Sequence, residues 1–123
     1  MQSKILIVDD DEGCRTLLSK FLKREGYETL LAQDGLEGLE MAKESHPDLI
    51  ILDVFMPRLD GFRTARLIKF YKPLSNIPII FLTGFLDEED AEELKHELAG
   101  HCLLTKPFDN EELLAKVREA ISK

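Results

Sequence analysis

The chain lacks what a membrane span, a metal–thiolate cluster or a nucleic-acid surface requires. No apolar run approaches the roughly 20 residues of a membrane helix, and Met-Gln-Ser-Lys leads directly into a short apolar stretch. The expectation is a protein without a signal peptide that stays in the cytoplasm. Its two cysteines, Cys14 and Cys102, lie far apart with no Cys-x-x-Cys spacing. They read as reduced, small apolar residues rather than disulfide or zinc ligands. His46, His96 and His101 show no metal-ligand spacing and read as surface or loop residues. Cations are scarce: 16 Lys and Arg against 24 Asp and Glu leave a net charge of −8. With no surface block of Lys and Arg to meet phosphates, direct nucleic-acid binding is not expected. Linkers and low-complexity stretches are missing too, so residues 1–123 read as one domain with a single core.

What is present is a repeated alternation. Lys4-Ile-Leu-Ile-Val8 is a β-branched run without polar alternation, the pattern of a strand buried on both faces of a parallel sheet. Three acids follow it, Asp9, Asp10 and Asp11. Cys14, Leu17, Leu18, Phe21 and Leu22 then repeat at helical spacing, with Asp11 as N-cap and Gly26 as stop. Tyr27–Ala32 and a helix marked by Leu36, Leu39 and Ala42 repeat the unit. Leu49–Leu52 predicts a third, central strand, followed by a helix carrying Phe62, Ala65 and Ile68. Asn76–Leu82 predicts a fourth strand with Pro78 near its start. Residues 87–98 read as a helix with acids crowding its first turns, where the helix dipole favours them. Cys102–Thr105 predicts a fifth strand, and Leu113, Val117, Ala120 and Ile121 mark the last helix. Five strands alternating with five helices specify an α/β fold, a parallel sheet with helices on both faces, because each parallel crossover needs a helix.

In such sheets the functional crevice lies at the carboxyl ends of the strands. The polar residues predicted there are Asp9 and Asp10 after the first strand, Asp53 after the third, Thr83 after the fourth and Lys106 after the fifth. Each has a plain use on its own: Asp9 to Asp11 can cap a helix, Asp53 a turn, and Lys106 can be a solvated end. Together they describe a chemistry. Carboxylates so crowded either keep a proton or recruit a cation. Hard oxygen donors with open positions favour magnesium. A metal and a lysine neutralise the oxygens of a transferring phosphoryl group, a hydroxyl adds one more hydrogen bond, and an ionised carboxylate serves as nucleophile. Gly84, beside the threonine, is small enough to leave that group room.

Val-Asp-Asp at 8–10, Leu-Asp-Val-Phe-Met-Pro at 52–57 with Asp60-Gly61, Leu-Thr-Gly at 82–84 and Lys-Pro-Phe at 106–108 resemble the receiver domain of two-component response regulators over essentially the whole chain. The resemblance implies a flavodoxin-like strand order 2-1-3-4-5. It also implies Asp53 as phosphoacceptor and Asp10 as direct magnesium ligand. Asp9 would act through a water, and the backbone carbonyl of Phe55 would complete the set with Asp53. Thr83 and Lys106 would contact the phosphoryl group, and the Lys106–Pro107 bond would be cis. The implied partners are a histidine kinase or histidine phosphotransfer protein and a downstream target or effector domain. The output surface would be the acidic helix over 87–98, the fifth strand and the last helix, which could meet a basic partner or a symmetric copy. With nothing after Lys123, the resemblance implies a stand-alone regulator or a receiver from a larger protein. Other readings fit worse. An aspartate-nucleophile phosphatase would want an acid where Phe55 stands, and a flavin module would want a Ser/Thr/Gly-rich loop where Asp9 to Asp11 stand.

The chain departs from the family pattern at Leu103, where an aromatic residue usually reports phosphorylation, and the loop 100–102 looks about one residue short. Of these, only the Leu103 departure gives weight to a pseudo-receiver scaffold that has lost phosphorylation. If phosphorylation is kept, its relay would run through backbone shifts of the loop after Thr83 and of the helix that follows. Phe55 and Phe85 stand two residues beyond Asp53 and Thr83, and aromatic rings there cannot orient a hydrolysing water by hydrogen bonding. Slow self-dephosphorylation is therefore expected. A Phe55→Asn, Phe85→Glu double variant should shorten the phosphoryl half-life in a radiolabel chase, and an unchanged half-life would refute the reading.

Overall fold

The computed structural model describes residues 2–54, 60–84, 102–105 and 108–122. Five strands, β1 (Lys4–Val8), β2 (Glu28–Ala32), β3 (Leu49–Asp53), β4 (Ile79–Thr83) and β5 (Cys102–Thr105), form one sheet in the order β2-β1-β3-β4-β5. All four pairings are parallel. The helices among the described residues are α1 (Glu12–Arg24), α2 (Gly35–Ser45), α3 (Gly61–Phe70) and α4 (Asn110–Ser122), with a short 3₁₀ turn at Lys72–Leu74. The strand order and the helix-on-both-faces architecture match expectation. The expected helix over 87–98 lies outside the described residues.

Strand periodicity explains the two layers. Alternate residues of a strand point to opposite faces, so Leu6, Val8, Ile50, Leu52 and Phe81 pack with Ala42 of α2 and Ala65 and Ile68 of α3. Ile5, Ile7, Ile51, Ile80 and Leu82 face the other way, onto Leu18 and Leu22 of α1 and Leu113 and Val117 of α4. The central strands are apolar on both sides because both sides are covered.

Local chemistry sets the helix ends. Asp11, Asp34 and Asp60 are the N-caps of α1, α2 and α3, accepting from the backbone N–H groups of Gly13, Glu37 and Arg63 at 3.0, 2.8 and 2.9 Å. Gly26 follows α1 at φ 96°, a conformation that costs glycine little. His46 ends α2 in the left-handed region at φ 48° and is exposed, as a surface histidine should be.

Several boundaries differ from expectation. The second strand begins at Glu28, because Tyr27 still donates its N–H to Leu22 O at the end of α1 (3.1 Å). The fourth begins at Ile79, because 72–74 coil into the 3₁₀ turn. Lys69 fastens that turn with Nζ on Ser75 O (3.2 Å) and Ile77 O (2.9 Å), and burial holds its pKa below the usual lysine value. Leu36, expected to point inward, is half exposed; Gly35, Gly38 and Ala42 make the buried face of α2 instead. Cys14 is half-buried rather than fully inside.

Gly61 opens α3, pressed against the end of β3. Its N–H donates to Val54 O at 2.8 Å, and a Cβ there would stand 2.3 Å from Asp53 O and 2.8 Å from Val54 Cα. Those are backbone atoms, so the helix would have to move to admit a side chain. Gly61→Ala should cost about 2–4 kcal/mol of stability in urea unfolding. Gly84→Ala, whose Cβ meets nothing within 4 Å among the described residues, should stay within about 1 kcal/mol of wild type. Equal losses in the two variants would contradict this account of the contact.

Candidate functional site

The parallel register brings the strand ends to one edge of the sheet. Val8 pairs with Leu52, Asp53 with Leu82, and Thr83 with Thr105. Asp53 is thus the last residue of β3 rather than a turn residue. Its neighbour Val54 is held by an N–H···O bond to Leu82 O at 2.8 Å.

The loop leaving β1 is fastened through Asp9. Its N–H donates to Ala32 O (3.2 Å), its Oδ1 accepts from Asp11 N–H (2.9 Å), and its carbonyl accepts from Arg15 Nη1 at 2.6 Å. One carboxylate oxygen each from Asp9, Asp10 and Asp53 lie within 4.8 Å of one another. Asp9 is fully buried and Asp53 is 6% exposed, whereas Asp10 faces solvent. Two acids are therefore desolvated behind a third that is open to an incoming cation.

Thr83 is fully buried, and among the described residues its Oγ1 has no hydrogen-bond partner. An unsatisfied buried hydroxyl costs about 1–3 kcal/mol, so this atom calls for a ligand. The open space at Gly84 leaves room beside it. Of the site residues expected from sequence, the structure brings together Asp9, Asp10 and Asp53, and sets Thr83 at the adjoining end of β4. Lys106, Pro107, Phe55 and Phe85 lie outside the described residues. Sequence reasoning missed two supports: Arg15, a cation one turn into α1 that holds the Asp9 carbonyl, and Gly38, where a Cβ would stand 2.8 Å from Val8 Cγ2. An Arg facing three acids across one helical turn was the available signal for the first. Nothing local flags the second.

The family model for the response regulator receiver domain matches residues 5–118, and the chain belongs to that family. Among curated relatives, the alkaline phosphatase synthesis transcriptional regulatory protein PhoP of Bacillus subtilis is 42% identical over 96% of this chain and 48% of its own length. The sporulation initiation phosphotransferase F of the same organism is 37% identical over 100% of this chain and 94% of its own. The solved chemotaxis protein CheY4 of Vibrio cholerae superimposes with a TM-score of 0.86 at 33% identity, covering 98% of this chain and 99% of that one. The chain spans about half the length of several curated relatives, PhoP among them. Receiver domains are signalling domains of two-component systems, and phosphorylation and magnesium binding are general properties of the family.

The donor set fits that metal. Magnesium is bound through one or two carboxylates and keeps several waters, which suits one exposed and two buried oxygen ligands on an open edge. Without a cation these carboxylates repel one another. Asp10→Asn should therefore raise the melting temperature of the metal-free protein by about 3–5 °C. Magnesium should raise that of wild type and leave the variant nearly unchanged. Differential scanning fluorimetry with and without magnesium checks both, and a lower metal-free melting temperature in Asp10→Asn would contradict the repulsion.

Proposed function

We propose that this domain is a phosphoacceptor switch that takes a phosphoryl group onto Asp53 from a histidine kinase or histidine phosphotransfer protein and changes conformation to control a downstream target. The clustering of Asp9, Asp10 and Asp53 beside the unsatisfied Thr83 hydroxyl carries the reading. It is a signalling domain that catalyses only its own phosphorylation and dephosphorylation, acting in the cytoplasm.

In the transfer step an Asp53 carboxylate oxygen attacks phosphorus. The new P–O bond forms as the P–N bond of the donor phosphohistidine breaks, and the imidazole leaves with the bonding pair and takes up a proton. Magnesium, when bound, offsets charge on the phosphoryl oxygens. Asp9, Asp10 and Asp53 would hold it together with the backbone carbonyl of Phe55. Thr83 Oγ1 donates to one phosphoryl oxygen and so gains a partner that none of the described residues supplies. Lys106, the residue after Thr105, pairs with another.

Leu103 shapes the response. It pairs in register with Phe81 and is already half-buried against the inner cluster. No ring stands there to swing inward, so the signal passes through the backbone after Thr83.

Intact mass after treatment with acetyl phosphate and magnesium tests the assignment. Wild type should gain one phosphate and Asp53→Asn none; an equal gain in the variant would sink it. On the same protein, beryllofluoride should shift amide resonances beyond the pocket, whereas shifts confined to the pocket would identify a scaffold without a relay.

A further inference from the structure

The surface changes character at the end of α3 far from Gly61. Residues 61–86 carry Arg63, Arg66, Lys69 and Lys72 and no acid, in a chain whose net charge is −8. Large apolar side chains stand out there: Phe70 is 90% exposed, and Leu67 and Tyr71 are 43% and 42% exposed. A group of apolar side chains left in water on one side of the molecule marks an interaction site more often than a structural need.

This patch is concave. Leu39, Leu67, Phe70 and Tyr71 line a groove of about 390 Å³ between α2 and the turn after α3, with Lys43 and Lys72 among its walls. Lys43 Nζ stands 5.1 Å from the Tyr71 ring centroid, a cation–π contact that holds the ammonium beside the apolar floor. Lys69 is turned onto the Ser75 and Ile77 carbonyls and takes no part. Glu40 and Glu44 neighbour Lys43 along α2, whereas Lys72 follows a helix without acids, so the α3 side is the more basic wall of the groove.

We propose that this groove docks an acidic amphipathic helix of a partner protein, its apolar side chains on Phe70, Leu67 and Leu39 and its carboxylates toward Lys43 and Lys72. Charge complementarity selects this occupant. A second copy using the same face would set its acid-free stretch against its twin. A phosphate backbone would meet an apolar floor and few cations. An apolar groove with cations at its edge is what a helix with one apolar and one acidic face requires. The site is separate from the phosphoacceptor: Phe70 lies nine residues along α3 from Gly61, about 14 Å of helix.

The test titrates the full ¹⁵N-labelled chain with a synthetic helical peptide of about 15 residues, bearing Leu at every third or fourth position and Glu on the flanks. Amide shifts should centre on Leu39, Lys43, Leu67, Phe70 and Tyr71, and affinity should fall as salt rises. Phe70→Ala and the Lys43→Glu, Lys72→Glu double variant should each weaken binding about tenfold, and Asp53→Asn should leave it unchanged. Phe70 is exposed, so its alanine variant retains the core, which circular dichroism verifies. Shifts elsewhere, or equal binding of a peptide with Lys in place of Glu, would overturn the proposal. Capture by phosphatidylglycerol vesicles without peptide binding would assign the patch to a lipid surface instead. Self-association abolished by Phe70→Ala would assign it to a second copy.

Discussion

Everything functional in this domain depends on the register of a parallel ladder. Five strands start at different points in the sequence and stop together, so that Asp53 pairs with Leu82 and Thr83 with Thr105 at one edge. Parallel hydrogen bonding is evenly spaced, and the apolar side chains that alternate into two covered layers leave no freedom to slip. A slip of one residue in β3 would exchange Ile50 and Leu52 with Ile51 between the layers and carry Asp53 away from Asp9. The same packing that stabilises the sheet therefore sets the distances within the acidic cluster.

That cluster opposes the stability around it. Asp9 and Asp53 are desolvated, and the buried Thr83 hydroxyl has no partner among the described residues. Such local conflicts belong to functional sites, where a ligand resolves them and so acquires leverage over the conformation. The surrounding structure holds the conflict in place. Arg15 and Asp11 fasten the loop at Asp9, Val54 is bonded to Leu82 O, and the absent side chain of Gly61 lets α3 abut the backbone of Asp53 and Val54. The far end of α3 leads to a groove lined by Phe70, Tyr71, Lys43 and Lys72, so one helix joins the acidic strand end to that surface.

The repeating strands and helices were legible because buried parallel strands are apolar throughout and their helices keep a 3.6-residue period. Asp9, Asp10, Asp53 and Thr83 could be placed at the strand ends once the alternation was clear. The phosphoryl chemistry proposed for them rests on residue type. Less legible were contacts that no local pattern encodes. Leu36 fits the helical stripe of α2 yet is half exposed, because Gly35 and Gly38 let that helix pack closely and shift its inward face. The fourth strand looked longer because Ile77 extends the apolar run that follows it, but Lys69 binds the Ser75 and Ile77 carbonyls into a turn. Nothing local to Gly61 signals its role, and only the neighbouring backbone shows that it is a point of contact.

Sequence alone determined the class of fold, the strand order through family resemblance, and the acids, hydroxyl and amine available for phosphoryl chemistry. Residue types and periodicities are local properties, and they survive without knowledge of what lies across the sheet. Tertiary structure decided the rest: that Asp9 and Asp53 are buried while Asp10 is open, that Thr83 Oγ1 has no partner among the described residues, that α3 needs glycine at its start, and that α2 and α3 leave Phe70 beside a groove with lysines in its walls. These are distances between residues far apart in the chain, and they exist only once the layers have packed.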